Sequence, residues 1–332
     1  MDLQFFNKSN GSVPSHGRCT YDIKTAQVVF PILYILVFCL GLILNILSLW
    51  VFCRVPSNSV FIIYLKNTVV ADIVMTLSLP FKIVTDSRAA PWQVKAFVCR
   101  FSAVVFYASM YINIILLGLI GLDRFLKIVR PYERGCMDQL SVAKRISVAV
   151  WFMIFGISIP NMILSNQTAT PKTVRQCSDL KSPLGIKWHV AVNFICLIIF
   201  WSVLIALTIF YTIITKKVYE SYRRSRSRHK DLRRTTRVKV FVVVIVFFVC
   251  FAPYHFMRLP YTFSQSGVID DCNTKRRLFL AKESTLLIAA TNVFMDPLIY
   301  IILCKPFRKL LPGFLNSGDS SQEAPINNES TV

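Results

Sequence analysis

Residues 101–122 read Phe-Ser-Ala-Val-Val-Phe-Tyr-Ala-Ser-Met-Tyr-Ile-Asn-Ile-Ile-Leu-Leu-Gly-Leu-Ile-Gly-Leu, contain no Lys, Arg, Asp or Glu, and run directly into Asp123-Arg124-Phe125. A helix of about 20 apolar residues spans the ~30 Å hydrocarbon core of a bilayer. Residues 25–53, 146–171 and 188–215 are equally free of charge, and 240–257 gives a shorter fifth run that extends to about 264. Two more apolar stretches are interrupted, 59–85 by Lys66, Asp72 and Lys82, and 281–304 by Lys282, Glu283 and Asp296. Charges at such depth are costly and normally face a protein interior. The spacing predicts an all-α membrane protein with seven spanning helices, so the two ends of the chain fall on opposite sides.

Composition agrees. Of 332 residues 54% are hydrophobic and only 17% charged, yet the formal net charge is +21. That apolar fraction excludes disorder and a water-exposed cytosolic enzyme. A basic excess is often a nucleic-acid signal, but nucleic-acid domains lack this apolar length, so no nucleic-acid partner is expected. Segment 216–239 holds 11 Lys or Arg against Glu220 and Asp231. The positive-inside rule makes it cytoplasmic and the N-terminus extracellular. The sequons at Asn7, Asn10 and Asn166 then lie outside and are expected to be glycosylated. Residues 1–26 lack a basic stretch leading into an apolar run, so the first helix is expected to direct insertion itself. Cys19, Cys99, Cys177 and Cys272 also lie outside, and four cysteines allow three pairings. The expected bridges are Cys99–Cys177 and Cys19–Cys272, against the alternative of one bridge and two unpaired thiols. The expected organisation is an extracellular segment 1–26, a helical domain 27–311 and a disordered cytoplasmic tail 312–332. Within the domain, Lys305-Pro306-Phe307-Arg308-Lys309-Leu310-Leu311 reads as a short amphipathic eighth helix on the inner membrane face.

Asp123-Arg124-Phe125 by itself is compatible with ordinary positive-inside flanking. Its company is Asn45, Asp72, Trp151, Cys250-Phe251-Ala252-Pro253 and Asp296-Pro297-Leu298-Ile299-Tyr300, one marker per helix. In that order the markers resemble the rhodopsin-like (class A) G-protein-coupled receptors over roughly residues 27–311. The resemblance implies a plasma-membrane receptor rather than an enzyme. It implies a switch built from Asp123, Arg124, Phe251, Pro253, Asp296, Pro297 and Tyr300, with arrestin and receptor kinases as further partners. The chain departs from the usual pattern at Phe125, Phe251, Asp296 and Val203, and the last removes a helix-kinking proline from the fifth helix. Ala290 stands where an opsin has its retinal lysine, and Phe106 where amine receptors have an aspartate. Neither retinal nor a simple cation is therefore the expected ligand.

The outer third is basic instead. Lys82, Arg258 and Lys282 converge there, with Lys95, Lys181 and His189 nearby. His255, Arg258, Tyr261 or Thr262, and Gln265 recur at three- and four-residue steps and so share one face, while Tyr107 and Tyr111 are one turn apart. Arg and Lys suit phosphate, and a tyrosine face suits a purine. Snorkelling to lipid is the alternative for Lys95 and Lys82 but suits Arg258 poorly. The stretches 251–265, Lys282-Glu283-Ser284-Thr285-Leu286, and Cys177 through Leu180-Lys181 to Lys187-Trp188-His189 resemble the ADP-responsive branch of the metabotropic purinergic receptors. Neighbouring members of that branch answer to UDP-sugars. The resemblance implies extracellular ADP as ligand and an inhibitory Gi-type G protein as partner. It puts Arg258, Tyr261, Lys282 and Lys82 on the phosphates and Tyr107 on the base, with His189, Asn193 and Cys177 lining the cleft. Tyr111, Lys181, His255 and Gln265 complete the expected set.

Asp72 and Asp296, with Asn45, Asn113 and Asn292, are expected to form a polar knot in mid-membrane. Two close buried carboxylates do not both ionise freely. An allosteric sodium ion and a hydrogen-bonded structural network both answer that constraint, and no other cofactor is expected. The 223–227 and 233–236 basic clusters suit a kinase site, a G-protein contact or anionic lipid equally. Ser330-Thr331-Val332 fits the pattern of PDZ ligands, as it fits coincidence. An anion transporter with the same basic vestibule would show inverted repeats and broken helices, and an enzyme of phosphate esters would pair a His or Cys with Asp72 or Asp296; the sequence has neither.

Overall fold

The computed structural model describes residues 24–87, 89–130, 135, 138–171, 174, 177–224, 230–265, 269, 271–304 and 307. Among the described residues seven helices are long and apolar enough to cross a membrane. They are α1 (Lys24–Arg54), α2 (Val60–Asp86), α3 (Trp92–Val129), α4 (Leu140–Ile163), α5 (Pro183–Arg224), α6 (Lys230–Gln265) and α7 (Cys272–Ile301). The two charge-interrupted stretches form α2 and α7, and there is no strand among the described residues. Of the expected eighth helix only Phe307 is described; it is helical, buried, and packed 5.4 Å from the Phe52 ring.

Burial runs opposite to that of a water-soluble protein. Ile43, Phe152 and Ile198 are 64%, 76% and 64% exposed, while Asp72, Asn113, Asn292 and Asp296 are fully enclosed. Apolar groups facing outward and polar groups facing inward are what a hydrocarbon solvent requires. The bundle centres on α3, whose Met110, Ile112, Ile114, Leu116 and Ile120 are completely buried. Two glycines on α3 let α5 approach: a Cβ at Gly118 would lie 2.9 Å from Val203 Cγ1, and one at Gly121 would collide with Leu207. Val203, standing where a proline is usual, thus packs against α3, and α5 continues as one helix of 42 residues. The missing proline leaves that helix unbroken.

Helix ends and breaks have local causes. Ser59 starts α2 by accepting the Ile62 N–H on its side chain at 3.3 Å. Asp271 starts α7 in the same way. It accepts from Thr274 Oγ1 at 2.6 Å and Thr274 N at 2.8 Å, bonds that hold its carboxyl below the usual carboxylate range. Pro297 lacks an N–H, so the Val293 carbonyl one turn earlier loses its helical partner. Asn45 of α1 supplies the substitute, its Nδ2 donating to Val293 O at 2.5 Å and to Gly41 O at 2.9 Å. Asn45 therefore clamps α1 to α7 through backbone rather than joining the carboxylate knot expected of it.

One end of the bundle is tied covalently. Cys99, in a π-turn at Val98–Ser102 of α3, is bonded to Cys177 with Cα atoms 5.1 Å apart. Cys272 is also disulfide-bonded; its expected partner Cys19 lies outside the described residues, as do Asn7 and Asn10. Asn166 is exposed just beyond α4. Arg100 Nη2 donates to Gln167 O at 2.6 Å, and Gln167 N donates to Leu180 O at 3.1 Å, which holds the loop over α3. Lys181 is buried beneath it with Nζ 3.4 Å from Asn161 Oδ1 of α4, and burial lowers its pKa to about 8.

Two expectations follow for the purified protein in detergent. Asn45→Ala strips the Val293 carbonyl of its donor, at a cost of about 1–3 kcal/mol, so the midpoint of thermal unfolding is expected to fall by several degrees. An unchanged midpoint would mean that the carbonyl finds another donor. Lys181 is charged in both folded and unfolded chains below pH 8. As pH rises from about 8 toward ~10.4 only the unfolded chain keeps the proton, so folding is progressively relieved of burying a charge. On the lysine's own account the folded state binds the proton less tightly, so its cost to stability is fully present below about pH 8 and shrinks relative to neutral substitution above it. The difference in unfolding midpoint between Lys181→Met and the parent is therefore expected to depend on pH over that window; a difference that stays constant would place the titration elsewhere.

Candidate functional site

Among the described residues, a pair of cavities that share Tyr107 lies at the disulfide end of the bundle. The smaller, about 50 Å³, lies among α3, α4, α5 and α6 and is bordered by Tyr107, Tyr111, Asn161, His189, Asn193 and Arg258. The larger, about 300 Å³, lies among α2, α3, α7 and the outer loop, and is bordered by Lys82, Asp86, Lys95, Cys177, Lys282 and Glu283. The three cations expected to converge are thus divided, Arg258 on one side and Lys82 with Lys282 on the other. Tyr107 and Tyr254, stacked with centroids 6.3 Å apart, stand at the partition.

α6 orients Arg258 as its period requires. His255, Arg258 and Tyr261 are buried while Phe256, Leu259 and Phe263 on the other face are 52%, 42% and 51% exposed. Arg258 does not snorkel. Its Nη2 donates to Asn193 Oδ1 at 2.9 Å, whereas Nη1 is buried without a hydrogen-bond partner among the described residues. No carboxylate of the described residues pairs with it. His189 Nε2, in the same cavity, is also buried without a partner among the described residues.

Lys82 and Lys282 are in the opposite condition. Lys82 Nζ lies 2.8 Å from Asp86 Oδ2 and 3.3 Å from Glu283 Oε2, and Lys282 pairs with Glu283 Oε1. Lys282 also lies 5.0 Å over the Tyr261 ring. The i,i+4 spacing of Lys82 and Asp86 announces their pair in the sequence. Nothing linear announces Glu283 against Lys82, 201 positions away.

The other expected site residues sort as follows. His255 lines neither cavity. Its Nδ1 faces Phe251 O at 2.8 Å and must carry the proton, so Nε2 accepts from the Tyr111 hydroxyl at 3.1 Å. The ring is stacked 3.8 Å from Phe200. His255 and Tyr111 thus form a closed pair, though Tyr111 still borders the smaller cavity. Lys181 reaches α4 instead of either cavity. Gln265 ends α6, and its side chain lies outside the described residues.

Farther down the bundle, Asn113 Nδ2 donates to Asp72 Oδ1 at 2.6 Å, and Asn292 Nδ2 lies 3.3 Å from Asp72 Oδ1 and 3.2 Å from Asp296 Oδ2. The Tyr300 hydroxyl donates to Asp72 Oδ2 at 3.2 Å and meets Thr68 Oγ1 at 2.8 Å. Asn113 Oδ1, Asn292 Oδ1 and Asp296 Oδ1 are buried without partners among the described residues. At the far end Arg124 Nη2 lies 3.2 Å from Asp123, which also pairs with Lys127 at 2.6 Å. The Arg124 guanidinium stacks 3.7 Å over the Phe61 ring of α2. Phe251 is fully buried against Phe247, and Pro253 and Pro297 lie inside α6 and α7.

Comparison with known proteins gives these positions a setting. Residues 44–300 match the 7 transmembrane receptor (rhodopsin family). Purinoceptor 13 of Homo sapiens, of the metabotropic type, is 56% identical over 310 residues, 93% of this chain and 86% of that protein. Purinoceptor 14 of Bos taurus, of the same type, is 47% identical over 298 residues, 90% of this chain and 88% of that protein. G-protein coupled receptor 87 of Mus musculus is 40% identical over 309 residues, 93% and 86% of the two chains. The match reaches all seven helices, including those that carry Arg258, Lys282, Arg124 and Tyr300, and the chain belongs to the rhodopsin family of seven-transmembrane receptors and, within it, to the metabotropic purinoceptors.

Proposed function

We propose that this receptor binds extracellular ADP at the disulfide end of the bundle and signals through an inhibitory Gi-type G protein to lower cyclic AMP. The observation that carries the reading is Arg258. A buried guanidinium with one nitrogen unpartnered and no carboxylate on it among the described residues is an incomplete anion site. A phosphate completes it with charge-assisted hydrogen bonds, while Tyr107, stacked on Tyr254 beside it, offers a face for the purine. Beyond the Tyr107 partition, Lys82 and Lys282 are further contacts for the phosphates together with Tyr261, whose ring lies against Lys282, and His189, Asn193 and Cys177 line the cleft.

The external orientation of this end rests on the basic 216–239 segment, which marks the opposite end as cytoplasmic. By charge count the outer side carries +9, the inner side +14 and the membrane core −2, from Asp72 and Asp296, which together give the net charge of +21. The inner excess follows from topology, whereas the outer excess draws in an anionic ligand. Ligand binding shifts an inactive–active equilibrium toward the state in which Arg124 leaves Phe61 and Asp123 for the G protein. Arrestin and receptor kinases are further partners on that side. The C-terminal Ser330-Thr331-Val332, outside the described residues, is a weaker case for a PDZ partner.

The unpartnered oxygens of Asn113, Asn292 and Asp296 beside Asp72 fit a small hard cation, which takes oxygen ligands. Bound sodium would supply positive charge between the two carboxylates; the chain's own part is to hold Asp72 and Asp296 together through Asn292.

In cells expressing the chain, ADP is expected to suppress forskolin-stimulated cyclic AMP in a pertussis-toxin-sensitive manner. Arg258→Ala and Lys282→Ala are each expected to raise the half-maximal ADP concentration about 10- to 100-fold at normal surface expression, the loss of one buried charged contact. Unchanged potency in both refutes the phosphate assignment, and a stronger response to UDP-glucose than to ADP reassigns the ligand. Sodium is expected to weaken ADP binding to the parent protein and not to Asp72→Asn; equal sodium sensitivity in the two leaves the knot a hydrogen-bonded network.

A further inference from the structure

The phosphate reading places Lys82 and Lys282 on the ligand, yet both already hold an anion. Glu283 uses one carboxylate oxygen for each, Oε2 for Lys82 of α2 at 3.3 Å and Oε1 for Lys282 of α7. The side chains of Glu283, Lys82 and Lys282 are only 14%, 19% and 3% exposed. We propose that Glu283 is a resident competitor: its carboxylate occupies the seat between Lys82 and Lys282 that a phosphate takes, and its displacement sets the affinity of the receptor for anionic ligands. The proposal rests on the nucleotide reading of the same site and adds a residue that opposes binding.

Three features support it. A carboxylate bridging two ammonium groups on different helices has the geometry by which two oxygens of one phosphate bridge them. The group stands at the wall of the 300 Å³ cavity, so an incoming anion reaches the same two nitrogens. Among the described residues the wall carries three lysines, Lys82, Lys95 and Lys282, against two carboxylates, Asp86 and Glu283. A diphosphate brings roughly two to three negative charges, more than that balance neutralises, and like charges in a poorly hydrated space repel strongly. One carboxylate must yield. Among the described residues Asp86 pairs with Lys82 alone, from four residues away on its own helix and with 29% of its side chain exposed, and so is the lesser obstacle. Arg258 has no such rival among the described residues, which makes it the first contact for phosphate and the two lysines the contested ones.

The test uses the full chain in membranes with radiolabelled ADP, and the purified receptor with inorganic pyrophosphate. Glu283→Gln keeps the shape and removes the charge, and is expected to bind ADP at least tenfold more tightly. Glu283→Asp, too short to span both lysines, is expected to shift affinity the same way by less. If Glu283 instead positions the lysines or contacts the ligand, both variants bind no better or worse than the parent, and that outcome overturns the proposal. Pyrophosphate separates this from the ligand's identity. Glu283→Gln takes the bridging charge from two buried ammonium groups, so its unfolding midpoint is expected to fall and to be restored by pyrophosphate more than the parent's is raised. Absence of ADP binding to the parent counts against the nucleotide reading alone, whereas a Glu283→Gln midpoint insensitive to pyrophosphate overturns the resident-competitor assignment whatever the ligand.

Discussion

A charge carried into the interior of a helix bundle loses its water, and only a partner of opposite charge or a set of hydrogen bonds replaces what water supplied. Nearly every feature at the two ends of this receptor follows from how that demand is met. Lys82 and Lys282 meet it with Glu283 and Asp86. Asp123 meets it with Arg124 and Lys127, and Arg124 adds the face of Phe61. Arg258 meets it only in part, through Asn193. The cations are therefore unequally satisfied: Lys82 and Lys282 hold carboxylates, whereas Arg258 keeps one nitrogen without a partner among the described residues, and on the proposed reading an anion is taken there first.

The same demand applies to backbone in hydrocarbon. Pro297 takes a hydrogen bond out of α7, and Asn45 restores it from α1. The bond at Val293 sits beside Gly41, where an added Cβ would come within 2.7 Å of Val293 Cγ2. Close approach and polar repair are thus one arrangement, since a side chain at Gly41 would push Asn45 out of reach. Gly118 and Gly121 do for α3 and α5 what Gly41 does for α1 and α7, without a polar group to repair.

What the sequence discloses follows from the range of the interaction involved. Spans are legible because exclusion of charge from lipid acts on each residue alone, and the period of α6 is legible because helical geometry is local. Arg258 and Tyr261 face inward as that period requires. His255 shows where the reasoning ends: it shares the face but is consumed by the Phe251 carbonyl one turn back and by Tyr111, 144 positions away, a partner the linear pattern does not reveal. Asn45 likewise carries a polar side chain whose partner is a carbonyl 248 positions away. The division of Lys82 and Lys282 from Arg258 by Tyr107 is set by how α3 sits among its neighbours, and no spacing within one helix encodes it.

The two ends are joined through α7. Lys282 and Glu283 stand about three turns into it, its helix is interrupted at Thr291, and Asn292, Asp296 and Tyr300 follow within the next turns. Thr291 turns its hydroxyl to Ile288 O at 2.6 Å and lies 3.6 Å from Cys250 Sγ of α6, three residues before Pro253. The interruption of α7 and the proline-bearing turn of α6 therefore face each other between the cavities and the carboxylate knot. A pull on Lys282 or Arg258 need not compress a rigid rod, because each helix has a place to bend beneath it. Below that level, Tyr300 is held by Thr68 and Asp72 of α2 and packs edge-on against Phe52 of α1. A change in the tilt of α7 is thus opposed by these bonds to α2 as well as by the Asn45 clamp from α1, and α2 is also the helix that supplies Lys82 above and Phe61 beneath Arg124. α2 thus meets α7 at two levels, through Lys82 and Glu283 above and through Thr68 and Asp72 on Tyr300 below, and on the proposed reading an anion bridging Lys82 and Lys282 acts across that same pair of helices.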